Sequence, residues 1–205
     1  DGMGGHRAGE VASQLAVEVI QKYCRENRDA AARDILDRGI NLSCKEIYER
    51  ARDNSELAGM GTTVLAMLFQ GEDAYIGQVG DSRAYLVSGE SIWQLTEDHS
   101  LLNEELRAGR LAAGQVAQYQ FKNVITRSVG YESQVTVDIY RRKIQAGDVF
   151  LLCTDGLSGL VEIGEICREL CVSGADGGLK NLVQLAIARG GDDNITALSC
   201  EVCPD

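Results

Sequence analysis

The sequence holds a single proline in 205 residues, and no stretch of it is rich in serine and proline or of low complexity. That leaves no place for a flexible linker, so the chain reads as one domain over residues 1–205, long enough for a substantial core. No apolar run approaches the roughly 20 residues that a membrane-spanning helix needs, and no signal-peptide pattern opens the chain. A cytoplasmic protein without membrane insertion is expected. Positive charge is also scarce. The 20 Lys and Arg face 31 Asp and Glu, a net charge of −11, which disfavours nucleic acid as a partner because such binding rests on neutralising phosphates. The seven cysteines are odd in number, and Cys153 and Cys167 lie inside apolar segments, which fits reduced cytosolic thiols better than a disulfide framework. Cys200 and Cys203 form a lone CxxC; in a strand their thiols point to opposite faces, and no second pair completes a zinc site.

Glycine, by contrast, is plentiful, with 23 residues, and much of it sits beside aspartate. Asp1-Gly-Met-Gly-Gly-His6, Gly80-Asp-Ser-Arg83, Thr154-Asp-Gly-Leu157 and Gly191-Asp-Asp-Asn-Ile-Thr196 are spread over nearly the whole chain. Two of these motifs stand where an apolar run stops: Ala74 to Val79 ends at Gly80-Asp81, and Asp148 to Cys153 ends at Thr154-Asp155-Gly156. An aspartate at the end of a buried strand is held rigidly, and the adjacent glycine allows backbone or ligand to come close. Any one Asp-Gly is most simply a turn. Several gathered in space would form an all-oxygen cage suited to Mg²⁺ or Mn²⁺.

Periodicity sketches the frame. Val11, Leu15, Val19 and Tyr23 recur at a helical interval, predicting an amphipathic helix over 9–23. A second helix is predicted over 43–52, with Ser43 as N-cap and Glu46 closing a capping box; residues 27–41 continue one of these helices or join them. Strands are predicted over 62–69, 73–79, 84–88 and 91–95 as an antiparallel meander, with Ser88-Gly-Glu90 as a tight turn. A short helix over 101–109, a mobile loop with a helical turn over 112–123, strands over 135–144 and 149–153, helices over 162–171 and 179–189, and a strand over 195–202 complete the chain. Strands in runs flanked by helices in runs indicate an α+β class.

The glycine-aspartate motifs, with Gly59-Met-Gly-Thr-Thr63 among them, follow one another in a fixed order. In that order, from Asp1 to about Val202, the sequence resembles the metal-dependent PP2C (PPM) protein serine/threonine phosphatases of the compact bacterial type. The resemblance implies a four-layer α-β-β-α sandwich of two antiparallel sheets flanked by helices, and hydrolysis of phosphoserine and phosphothreonine in proteins by a metal-activated water. It makes Asp1 the carboxylate that bridges two Mn²⁺ or Mg²⁺ ions and Gly2 a ligand through its carbonyl. Asp155 and Asp193 complete one ion's shell, and Asp81 with Asp155 holds a third, weaker ion; Asp193 is preferred over Asp192 because it directly precedes Asn194. His6 either protonates the leaving serine or threonine oxygen or positions the substrate, or else it makes a capping or structural hydrogen bond at the start of the first helix. His99 reads as structural, Thr62 and Thr63 as packing at a strand start, and Arg83 as an ion-pair partner. Phosphorylated proteins, and a Ser/Thr kinase with its targets, are the implied partners.

Two divalent ions roughly 3.5–4 Å apart suit this chemistry, since they acidify a shared water and neutralise the phosphoryl oxygens. Family members carry residues before the bridging aspartate, including an Asn-Glu-Asp strand that supplies another acid and an arginine for the substrate phosphate. Without them the 205-residue chain is expected to keep its fold, to be weakly active or inactive, and to expose a sheet edge open to pairing with a second copy, so that a dimer is one possible state. Two readings compete: a non-catalytic phosphoprotein-binding or regulatory module on the same fold, and a hydrolase of small phosphate esters.

Overall fold

The computed structural model describes residues 1–4 and 6–204. The chain divides into two compact units: Asp1–Ala66, Gly77–Asp81 and Glu97–Ile139 make the first, and Met67–Ile76, Ser82–Thr96 and Tyr140–Asp205 the second.

In the first unit a two-residue strand β1 (Gly2–Met3) leads into helix α1 (His6–Glu26), followed by helix α2 (Ala32–Asp53) and a second short strand β2 (Gly61–Thr62). β1 and β2 pair antiparallel, Gly2 opposite Thr62. The small stripe Ala8, Ala12, Ala16 and Ile20 of α1 lies in one buried cluster with Ile40, Cys44 and Ile47 of α2, and with Met60, Val79 and Val129. Alanines and glycines let the two helices come close; Gly39 of α2 lies against the Tyr23 ring, where an added Cβ would stand 3.3 Å from Cδ1. Burying a side chain such as Ile47 contributes about 1.5–3 kcal/mol. A short helix α3 (Leu101–Arg107) follows, its Ser100 hydroxyl capping the Asn103 amide at 3.3 Å.

In the second unit the strands β5 (Arg83–Ser88), β6 (Ser91–Gln94), β8 (Val149–Cys153) and β9 (Ala197–Glu201) form an antiparallel sheet in the order β6-β5-β8-β9. A single-turn helix α4 (Asp155–Ser158) and a long helix α5 (Ile163–Ala188) complete the unit. Ile166, Leu170, Leu182 and Ala186 of α5 share one buried cluster with Tyr85, Leu151 and Cys153 of the sheet. A three-stranded sheet in the order β3-β4-β7 is built from β3 (Val64–Gln70), β4 (Asp73–Val79) and β7 (Asp138–Lys143).

The α+β class with antiparallel sheets is as the sequence indicates, and β4 and β8 stop where their apolar runs do. Two expectations are corrected. Ser43 is no cap: it lies inside α2, fully buried, and its hydroxyl donates to the Ile40 carbonyl at 2.7 Å. The four-strand meander is divided, because β3 and β4 belong to one sheet and β5 and β6 to another. The two helices predicted over 162–189 are borne out as two helical stretches that meet at a non-helical Gly174, where φ is +68°. Among the described residues no helix is long and apolar enough to cross a membrane.

Candidate metal centre

Each unit carries two of the predicted carboxylates, and each pair is tied together by a threonine. In the first unit the Thr63 amide donates to the Asp1 carbonyl at 2.9 Å and the Thr62 hydroxyl donates to the same oxygen at 3.0 Å. The Asp1 nitrogen donates in turn to Thr63 Oγ1 at 3.0 Å. Thr63 also covers Gly80: a Cβ built there would stand 2.5 Å from the Thr63 methyl. Gly80 has φ +106°, a left-handed value that favours glycine. Asp81 follows it directly and is buried. Thr63 is therefore hydrogen-bonded to the Asp1 backbone and packed against Gly80, the residue before Asp81; its reading as packing missed the hydrogen bonds to Asp1.

Gly2 is fixed from the other side. Its Cα and that of Gly9 in α1 face each other so closely that a Cβ on either would strike the other's backbone. This explains the glycine after Asp1 by a helix pressed on a strand, and it leaves Gly2 exposed. His6 opens α1, but its side chain lies outside the described residues.

In the second unit β8 delivers Thr154 and Asp155 at its end. Thr154 Oγ1 donates to the Asn194 carbonyl at 3.0 Å and accepts from the Thr196 amide at 3.0 Å. The 154–156 and 193–196 segments thus lie side by side, and Gly156 meets the Asn194 carbonyl with no space for a Cβ. Asp193 is exposed, its Oδ1 accepting from the Asn194 amide at 2.7 Å.

The electrostatics of Asp155 are unusual. Its Oδ1 is buried and has no hydrogen-bond partner among the described residues. Burial first, and then the negative charge of Asp193, push its carboxyl pKa above the ordinary range, while a hydrogen bond from the Gly156 amide and the charge of Arg83 pull the other way. An orphaned carboxylate oxygen beside a second carboxylate is costly in a bare protein. A hard cation relieves both penalties, so these residues fit one. Among the described residues no cluster of three or more His, Cys, Asp or Glu side chains is placed to hold a metal ion by itself.

A family profile described as protein phosphatase 2C matches residues 1–173. The chain belongs to the protein phosphatase 2C family. With that membership comes the enzyme class, serine/threonine phosphatase. Among its relatives, the serine/threonine phosphatase stp of Listeria innocua serovar 6a is 38% identical over 208 residues, spanning 98% of this chain and 82% of that protein. The crystal structure of the Mycobacterium tuberculosis serine/threonine phosphatase PstP/Ppp matches with a TM-score of 0.93 at 31% identity, covering 100% of this chain and 86% of the other. A second structure, the catalytic domain of the phosphatase PstP in complex with two manganese ions, matches with a TM-score of 0.89 at 31% identity over 100% and 86% of the two chains. In this protein phosphatase 2C chain Asp81 and Asp155 stand two residues beyond the ends of β4 and β8.

Proposed function

We propose that this chain hydrolyses phosphoserine and phosphothreonine in proteins by direct attack of water, with a binuclear manganese or magnesium centre as cofactor. In this reading Asp1 bridges the two ions, the Gly2 carbonyl is a further ligand, Asp155 and Asp193 complete one shell, and Asp81 with Asp155 takes a third, weaker ion. The observation that carries it is the buried, partnerless Oδ1 of Asp155 beside Asp193. The relative solved with two manganese ions supports the metal. When bound, two such ions lower the pKa of a shared water and neutralise the charge that gathers on a phosphoryl group in transfer.

The chain's own residues supply position. Thr62 and Thr63 hold the Asp1 backbone, the Thr63 methyl packs against Gly80, and Thr154 holds the Asn194 and Thr196 backbones, so the carboxylates start from fixed points. Preorganised ligands lose little entropy on binding, and placing water and ester together accounts for much of a phosphatase's rate. His6 serves as proton donor to the leaving oxygen. In this reading the chain works in the cytoplasm, where a Ser/Thr kinase and its targets are its partners.

The test is phosphothreonine-peptide hydrolysis with Mn²⁺ compared with p-nitrophenyl phosphate, for the 205-residue chain and for Asp155→Asn. Peptide turnover that the substitution removes supports the proposal. Turnover of the small ester alone favours a small-ester hydrolase, and phosphopeptide binding without turnover favours a regulatory module.

A further inference from the structure

His99 lies outside the proposed ligand set, yet it grips the residue before Asp81 at both ends of its peptide units. Its ring Nδ1 accepts from the Gly80 amide at 3.0 Å, and its own amide donates to the Gly80 carbonyl at 3.0 Å. Because Nδ1 accepts, the ring proton sits on Nε2, which donates to Asp138 Oδ2 at 2.9 Å. The other oxygen of Asp138 accepts from Arg127 Nη1 at 2.9 Å, and Arg127 also donates to the Thr136 carbonyl at 3.1 Å. The His99 carbonyl accepts from the Thr126 amide at 2.9 Å. All of these residues belong to the first unit, and the His99 side chain is only 7% exposed.

We infer that His99 is a positioning residue for Asp81, with Asp138 and Arg127 holding the ring in the tautomer that the role requires. Gly80 sits at φ +106°, a conformation that glycine adopts with little bias between its left-handed and right-handed alternatives. Nothing intrinsic to Gly80 therefore fixes where the Asp81 Cα lies. The ring of His99 and the methyl of Thr63 close on that glycine from two sides. A ring with its proton on Nδ1 would oppose two N–H groups and release the turn. The carboxylate of Asp138 prevents this by taking the Nε2 proton as its hydrogen bond, and Arg127 keeps Asp138 ionised and oriented. The inference rests on the proposal above that Asp81 ligates the weaker ion.

The two ring nitrogens can be tested apart. In His99→Asn the amide oxygen stands where Nδ1 stood, so the Gly80 amide keeps its acceptor while Asp138 loses its donor. In His99→Gln the amide reaches Asp138 and Gly80 loses its acceptor. Calorimetric Mn²⁺ titration of the full chain, of both variants and of Asp81→Asn gives the readout, with thermal unfolding of each as a measure of stability. The expected result is a weakest Mn²⁺ event that Asp81→Asn removes, that His99→Gln weakens by about tenfold, the low end of the effect for groups behind a metal ligand, and that His99→Asn leaves within about threefold. A merely structural histidine would lower the unfolding temperature in both variants and leave the weakest event alike in both; that pattern overturns the inference. An unchanged titration for Asp81→Asn overturns the underlying reading of Asp81 instead. Should His99→Gln not fold, Asp138→Leu, which removes the acceptor for Nε2–H, carries the test: weakening of the same event supports the inference, and an unchanged event overturns it.

Discussion

The Thr154 and Thr196 backbones and one hydroxyl form a closed pair: the Thr154 amide donates to the Thr196 carbonyl at 3.0 Å, and the Thr196 amide donates to Thr154 Oγ1 at 3.0 Å. The same hydroxyl donates to the Asn194 carbonyl. Thr154 precedes Asp155, and Asn194 follows Asp193, so this one side chain joins the two acid-bearing segments of the second unit. Replacing it by valine keeps the shape and removes the partner of the Asn194 carbonyl and of the Thr196 amide. Thr154→Val is expected to cost about 0.5–1.5 kcal/mol in denaturant unfolding and to weaken Mn²⁺ binding about tenfold. Thr154→Ser, which keeps the hydroxyl, should restore most of both.

Gly156 makes a separate prediction from space alone. A Cβ there would overlap the Asn194 carbonyl, and the obstacle is backbone, which cannot step aside as a flexible side-chain end can. Gly156→Ala is expected to destabilise the chain by about 1–3 kcal/mol and to displace the 193–194 segment. The helix preference of alanine would by itself favour the substitution at this position in α4. A Gly156→Ala protein that unfolds at the parent's denaturant concentration and binds Mn²⁺ as well would show that the contact is unimportant.

The first and last turns of α5 are linked by charge. Arg189 donates to both oxygens of Glu165, each at 2.7 Å, and to the Leu160 carbonyl at 2.8 Å. The hydrogen bonds from Arg189 hold the Glu165 carboxyl down at about 2, against an ordinary 4.5. A carboxyl that ionises more readily in the folded state stabilises the fold above its unfolded value, and that contribution is lost as pH falls through the folded value. The gap in unfolding temperature between the parent and Glu165→Gln should therefore be full above about pH 5 and close as pH approaches 2. A gap independent of pH would mean that packing, not charge, sets the difference.

Much of this was legible in the sequence, and the failures share a cause. Apolar runs that stop at glycine located β4 and β8 to the residue, and the same stops located Asp81 and Asp155. The helix over 43–52 was begun too late because Ser43 and Glu46 imitate a capping box; Ile35, Leu36 and Ile40 already carry the buried stripe one to two turns earlier. The serine hydroxyl is tolerated inside because the Ile40 carbonyl satisfies it. Asp155 and Asp193 were named on motif, whereas Thr63, Thr154 and His99 were missed or read as structural. Their partners lie 62, 42 and 39 residues away, and no local pattern reports such a contact.

In the proposed centre a divalent cation sits against the buried Oδ1 of Asp155, which has no hydrogen-bond partner among the described residues. The most direct measurement is calorimetric titration of Mn²⁺ into the full chain and into Asp155→Asn, with phosphothreonine-peptide hydrolysis followed in the same samples. The expected result is Mn²⁺ binding by the parent that Asp155→Asn weakens by at least about tenfold, with any peptide turnover lost alongside it. No binding by the parent, or binding that Asp155→Asn leaves unchanged, would contradict it.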